Sequence, residues 1–100
     1  MTYEFFLSFT PTAKKSLKEL KESAHLEKRF KAVSQALKYL VENPRHPSLQ
    51  THRYSSLFGP DEEKIFEAYA EQDTPAAYRI FFYYGKTRGE IVIFAITPHP

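Results

Sequence analysis

One hundred residues supply enough chain for one hydrophobic core and not for two, so a single domain over 1–100 is expected. Hydrophobic residues make up 42% and charged residues 26%, a balance that excludes both a disordered chain and a bundle of membrane spans, and the absence of cysteine excludes disulfides and thiolate chemistry. The net charge of +2 is unevenly spread: residues 1–53 carry ten Lys/Arg against five Asp/Glu, and residues 54–100 carry four against seven, so the first half suits a polyanionic partner or a solvated helix face.

The opening stretch "MTYEFFLSF" has no basic leader and too short an apolar run for a signal peptide or a span, and a cytoplasmic protein is the expectation. Aromatic residues reach 16%, all of them Tyr and Phe, which favours strands. Residues 2–9 read as a first, aromatic strand. Thr10 followed by Pro11 is an N-cap and a first helical residue. Ala13, Leu17, Leu20 and Ala24 then recur at helical spacing as a narrow apolar stripe, with Lys14, Lys15, Lys18 and Lys21 elsewhere around the helix. After a break near "SAH", Leu26, Phe30, Val33, Leu37 and Leu40 mark a second helix that ends at Asn43, before Pro44.

The stretch "NPRHPSLQTHRYSSLFGPDEE" carries two further prolines and a Gly-Pro pair, and it reads as an irregular connection of unusual length. Strands are expected over 64–70, 78–84 and 90–96, the last two joined by a turn between Gly85 and Gly89. The architecture is therefore α+β, in the order β-α-α-β-β-β: an antiparallel sheet with a helical hairpin on one face and the first strand at one edge.

Alternation along the strands sorts their side chains into two faces. Pairing Tyr84 with Glu90 sets Phe82 opposite Val92, Ile80 opposite Phe94 and Tyr78 opposite Ile96. With Phe66 and Ala68, these form the face beneath the helices. The other face collects Glu67, Tyr69, Arg79, Phe81, Tyr83, Ile93, Ala95, Thr97 and, if the last strand continues, His99. A slip of one residue would reverse the two faces. Arg79 stands out within "AYRIFFYY", either as a structural ion-pair partner of Glu67 or as a functional cation.

The functional alternative rests on the chemistry of RNA, whose own 2′-hydroxyl attacks the adjacent phosphate without a metal. The reaction needs a base for that hydroxyl, a cation for the charge on the phosphorane and an acid for the departing 5′-oxygen. A permanently charged, bidentate arginine suits the second role, and histidine or a carboxylate suits the proton transfers. Tyr69 and Tyr83 are placed to stack on an extruded base. His25, His46 and His52 lack metal-ligand spacing and have no cysteine or HExxH in support, so neither metal nor cofactor is expected.

With those residues in place, the sequence resembles the RelE/ParE toxin superfamily of type II toxin–antitoxin pairs along nearly its whole length. "LSFTPTAKKSLKEL" is similar to the family's first strand and helix, and "ALKYLVENPRHPSLQTHR" to the end of its second helix and the following turn. "YRIFFYYGKTRGEIVIFAITPHP" is similar to its last hairpin. The resemblance implies an mRNA endonuclease working in the ribosomal A site and silenced by a co-expressed antitoxin. By position, Arg79 is similar to the arginine that binds the scissile phosphate, and His99 to a histidine that transfers a proton after the last strand, here a candidate acid. Glu67 and Tyr69 lie where other members place lysines, a histidine or an acid, and His52 and Arg53 lie in a turn that supplies charged groups. Lys14, Lys15 and Lys18 would meet rRNA phosphates. The lysine pair of the RelE subgroup has no match in "IFEAYA", and no segment beyond His99 carries that subgroup's further tyrosine. A ParE-like gyrase inhibitor and a non-catalytic module that holds an antitoxin peptide on exposed residues such as Phe81 and Ile93 are the alternatives.

Overall fold

Helix α1 (Pro11–Glu22) starts where its sequence demands. The Thr10 hydroxyl accepts from the Ala13 amide at 3.2 Å, and Pro11 contributes no orphan N–H to the first turn. Its apolar stripe buries Ala13 and Leu20. The break at "SAH" is a 3₁₀ turn over Ala24–Leu26, and helix α2 (Glu27–Glu42) follows, burying Val33, Ala36, Leu37 and Leu40. The Asn43 amide closes α2 on the Tyr39 carbonyl at 2.7 Å before Pro44 forbids another turn. This computed structural model describes residues 5–72, 74 and 76–98.

Five strands form one mixed sheet: β1 (Phe6–Phe9), β2 (His52–Phe58), β3 (Lys64–Tyr69), β4 (Tyr78–Tyr84) and β5 (Glu90–Pro98), in the spatial order β1-β5-β4-β3-β2. The first strand takes an edge as expected, running parallel to β5 with Leu7 opposite Ile91. The other pairings are antiparallel. At the β4–β5 turn the Gly85 amide reaches the Glu90 carbonyl at 2.9 Å, and Gly89 takes a φ of 80° that a residue with a Cβ adopts only under strain.

Two sequence expectations are corrected. The long irregular connection contains a strand, β2, between a 3₁₀ turn at Pro47–Leu49 and a tight turn at Gly59–Glu63. This edge strand has no buried residue, so no apolar alternation marks it.

The β4–β5 register also differs from the predicted one. Tyr84 faces Ile91 rather than Glu90, and Phe82 faces Ile93. A bulge follows, because Phe81 pairs with Ala95 and leaves Phe94 as the extra residue. Ile80 then faces Ile96, Arg79 faces Thr97 and Tyr78 faces Pro98. The bulged carbonyl of Phe94 accepts from the Thr10 hydroxyl at 3.0 Å, tying the irregularity to the start of α1.

The main core lies between the helices and one face of the sheet, where Ala68, Ile80, Phe82, Ile91, Ile93 and Ile96 meet the buried residues of α1 and α2. Ile93 therefore belongs to the helix side, and Val92 and Phe94 belong to the other, the reverse of the expected placement. On that open face Ile65, Phe81 and Tyr83 form a small second cluster with Tyr54, Val92, Phe94 and Ala95. Phe81 (5% exposed) and Ile93 (0%) are thus not the exposed docking residues of the sequence reading; among the described residues the exposed large apolar groups are Phe6, Leu57, Phe58 and Tyr84.

Phe82 is fully buried at the centre of the main core. Phe82→Ala is expected to lower the unfolding free energy by about 3–5 kcal/mol in urea titration. A loss below about 1 kcal/mol, the ordinary surface range, would show that Phe82 does not pack as described.

Candidate active site

Glu67, in the middle of β3, is the one buried charged side chain among the described residues. Strand alternation turns it away from the helices, and the neighbouring strands bring it two cations. From β4, the Arg79 Nη1 donates to Glu67 Oε2 at 2.6 Å. From β2, His52 is the direct register partner of Glu67, and its Nε2 lies 2.7 Å from Oε1. The carboxylate thus has a basic side chain on each oxygen.

The hydrogen-bond count fixes a proton. His52 Nδ1 lies 2.9 Å from the Gln50 carbonyl, which only accepts, while Nε2 faces a carboxylate, which also accepts unless protonated. A hydrogen therefore sits on Nδ1, and Nε2 forms an ion pair with Oε1 when it too is protonated. With Glu67 ionised and His52 in that form, the cluster His52–Glu67–Arg79 carries one net positive charge. Gln50 reaches this position with a left-handed φ of 47°, unusual for a residue with a side chain. Its side-chain amide donates to Gln72 Oε1 at 3.1 Å, and Gln72 Nε2 donates to the Ser48 carbonyl at 2.9 Å, which steadies the turn.

Arg79 retains 16% of its side-chain exposure and lies 4.9 Å from the centre of the Phe81 ring. Its Nε is buried without an acceptor among the described residues. His52 is the open member, with 45% of its side chain exposed. Tyr69 completes the group: it is the register partner of Arg79, and its ring centre lies 5.6 Å from that of His52.

The structure brings Arg79, Glu67, His52 and Tyr69 together and places Tyr83, Arg53, Lys14, Lys15 and Lys18 elsewhere. Tyr83 shares the open face but lies four residues along β4, roughly 13 Å from Arg79 at the usual rise, in the second apolar cluster. Burial raises its phenol pKa, helped by the carboxylates of Glu63, Asp61 and Glu90 and opposed by Lys86. Arg53 pairs with Phe66 and takes the opposite face from His52, with its guanidinium 5.6 Å from the Phe58 ring centre. Lys14, Lys15 and Lys18 are exposed on α1, in the helix layer on the other side of the sheet from Arg79. His99 lies outside the described residues.

Sequence reasoning anticipated the Glu67–Arg79 contact but not that His52 would be the second partner. The signal for it was a strand with no buried residue, and such strands leave no periodicity to read.

No protein-family model and no curated protein matches the chain. Solved structures do. The archaeal RelE–RelB complex from Pyrococcus horikoshii OT3 matches with a TM-score of 0.64 at 14% identity, over 95% of this chain and 94% of that one. The YoeB/ParE toxin from Agrobacterium tumefaciens matches at 0.69 and 6% identity, over 94% and 98%. The YoeB dimer from Staphylococcus aureus matches at 0.62 and 14% identity, over 97% and 99%. At these identities the likeness is one of fold, and the chain has the fold of the RelE/ParE superfamily.

The Glu67 pairing predicts an asymmetric response to mutation. Glu67→Ala leaves Arg79 without its carboxylate and is expected to cost about 3–5 kcal/mol in denaturant unfolding. The double change Glu67→Leu with Arg79→Met should recover most of that loss; equal destabilisation of the two proteins would deny that the buried charge is the cause.

A second prediction concerns alkaline pH. The Tyr83 and Tyr84 phenols are held above their ordinary value of 10.0, in each case by burial first. The folded chain therefore keeps protons that the unfolded chain gives up near pH 10. The stability they contribute is intact below pH 10 and is lost as pH rises through their folded values. Tyrosinate absorbance should show a late phase above pH 10, and Tyr83→Phe with Tyr84→Phe should remove it.

Proposed function

We propose that this chain is the toxin of a type II toxin–antitoxin pair and cuts mRNA on the ribosome by metal-independent transesterification. The observation that carries the reading is the line His52–Glu67–Arg79 across three adjacent strands of an open sheet face. The shared fold supports it, and a structure of that fold is described as a RelE–RelB complex, which supports an antitoxin protein as the partner of this chain as well.

In this mechanism Arg79 binds the scissile phosphate and meets the charge that grows on its oxygens. Glu67 is buried and engaged on both oxygens, so it orients the two cations instead of touching RNA. In this reading His52 holds hydrogen on both nitrogens and, as the open member, protonates the departing 5′-oxygen from Nδ1. Its hydrogen bond to Gln50 breaks as it does so, while Nε2–H stays with Glu67. His99 is then the group that takes the 2′-hydroxyl proton. The 2′-oxygen forms its bond to phosphorus as the bond to the 5′-oxygen breaks, giving a 2′,3′-cyclic phosphate and a 5′-hydroxyl. Tyr69 stacks on a displaced base, and Lys14, Lys15 and Lys18 contact ribosomal RNA from the other side of the domain.

One observation favours a second reading. Both nitrogens of His52 and both oxygens of Glu67 are satisfied inside the protein, as a purely structural clamp would have them. A ParE-like inhibitor of gyrase, or a module that only binds antitoxin, needs nothing more.

Primer extension on a defined mRNA, with and without 70S ribosomes, separates the readings. Wild type is expected to cut only with ribosomes. Arg79→Ala should lower the cleavage rate roughly 100- to 1,000-fold, as loss of an oxyanion-binding donor does. His52→Ala and His99→Ala should each lower it roughly 100- to 10,000-fold, the range of a lost acid or base. Folded wild type that makes no cuts would end the nuclease reading and leave gyrase inhibition as the next assay.

A further inference from the structure

Two rows of side chains end the helix-facing side of the sheet at its β2 edge. Arg53 is the register partner of Phe66, and Phe58 that of Lys64, so all four share the face on which Phe66 meets Phe82 of the main core. Tyr84 lies two residues beyond Phe82 on β4 and joins them, its ring centre 5.6 Å from that of Phe66. The helices do not cover this corner: Phe66 is only half-buried, and Tyr84 and Phe58 keep 42% and 57% of their surface exposed. A cleft of about 430 Å³ opens there, lined by Phe66, Tyr84, Arg53 and, from the connection between α2 and β2, Arg45.

The corner is cationic as well as apolar. Arg45, Arg53 and Lys64 are all exposed, and none has a carboxylate partner among the described residues. No Asp or Glu lines the cleft among the described residues. Arg53 has turned to a ring instead, with its guanidinium 5.6 Å from the centre of Phe58. Arg45 stands near enough to Tyr84 for its charge to oppose the upward push that burial gives the phenol. From β4 to β2 the corner is roughly 10 Å wide, two strand spacings. That is the width of one α-helix, about 10–12 Å with its side chains. A helix laid beside the end of α2 would continue the helix layer over the uncovered strands. Its lower face must be apolar to meet the three rings, and its flanks acidic to meet the three unpaired cations.

We propose that this corner seats an acidic amphipathic helix of the antitoxin, with apolar side chains on Phe58, Phe66 and Tyr84 and carboxylates on Arg45, Arg53 and Lys64. The inference rests on the toxin–antitoxin reading for the identity of the partner; the corner supplies the chemistry and the place of its helix. The seat is across the sheet from Arg79, so this helix binds without covering the Glu67–Arg79 pair. RNA is the poorer occupant, since a strand held by Arg79 on the open face would have to pass around the sheet edge to reach these rings. A second copy of this chain, paired symmetrically, would set the same cations against one another.

The test measures binding of the full chain to a fluorescent peptide of about 18 residues, roughly five helical turns, with Leu at helical spacing on one face and Glu elsewhere. A peptide of the same composition with its leucines scattered, and one of the same pattern with Lys for Glu, serve for comparison. The patterned acidic peptide should bind most tightly and lose affinity as salt rises. Arg45→Ala with Arg53→Ala should weaken it roughly 2- to 30-fold, the range of two exposed ion pairs. Lys21→Ala with Lys28→Ala removes equal charge where α1 gives way to α2, roughly 20 Å from the far end of α2, and should leave the affinity unchanged. Phe58→Ser with Tyr84→Ser should weaken binding roughly 5-fold or more, and Tyr84→Phe, which keeps the ring, should not. All of these side chains except the leucines of the peptide are exposed in the free chain, and unaltered melting curves would establish that the variants are folded.

Equal binding of the patterned and scattered peptides, or equal losses from the arginine and lysine pairs, would overturn the seat, because attraction to net charge alone gives both. Self-association of the chain that Phe58→Ser with Tyr84→Ser abolishes would overturn it in favour of a second copy. Arginine-dependent binding of a single-stranded oligoribonucleotide, without binding of the patterned peptide, would overturn it in favour of nucleic acid. Expression of the chain alone tests the toxin reading separately. Growth arrest by a chain that does not bind the peptide would end the seat and leave the toxin reading standing. Peptide binding at the corner by a chain that neither arrests growth nor cuts mRNA would end the toxin reading, and the antitoxin as occupant with it.

Discussion

One buried carboxylate organises the open half of this sheet. Removing an ionised Glu67 from water is unfavourable by several kcal/mol unless charges and hydrogen bonds replace the lost hydration. The replacement comes from both sides, through Arg79 on β4 and His52 on β2. Each contact requires one particular alignment of its strand against β3. A slip of one residue in either strand would turn the cation to the opposite face and leave the carboxylate buried alone. The pairing therefore constrains register where hydrophobic burial constrains it least, at an edge strand with no buried residue.

On the other side of β4, register is set by the bulge at Phe94. Before it, Ile91 and Ile93 point to the helices, and after it Ile96 does so again. Strict alternation cannot place both Ile93 and Ile96 on one face, since they are separated by an odd number of residues. The extra residue resolves this conflict, and it also brings Thr97 opposite Arg79 on the open face. The Thr10 hydroxyl accepts a bond within α1 and donates one to the bulged carbonyl, so a single side chain joins helix start and sheet irregularity.

These two features mark the limit of what the sequence discloses. Both helices, the cap at Thr10, and strands β3, β4 and β5 were legible because each buries an apolar face at its own period. The faces of β3 and β4 were assigned correctly, and with them the approach of Tyr69 to Arg79 and of Arg79 to Glu67. The bulge was illegible, because "IVIFAI" is apolar at every position and fits either register. β2 was illegible because nothing in "HRYSSLF" is buried. The site was accordingly half readable: Arg79 announced itself as a charge among rings, whereas His52 acquires meaning only when β2 is paired with β3.

The position of β2 also bears on how a chain with a net charge of only +2 could engage a polyanion. Its excess positive charge lies in residues 1–53, whereas most of the sheet comes from the acidic second half. Had the basic half been confined to the helices, its charge would lie across the sheet from Arg79. β2 carries the end of that basic half into the sheet, delivering His52 to the open face and Arg53 to the edge beside Arg45. Glu67 balances one charge of the two basic groups that flank it, and the cleft between Arg45, His46, His52 and Arg53 at this edge is lined by no Asp or Glu among the described residues. Positive potential is thereby concentrated along one edge of the domain, next to exposed rings, and steering there depends on this local field much more than on the sum over the chain.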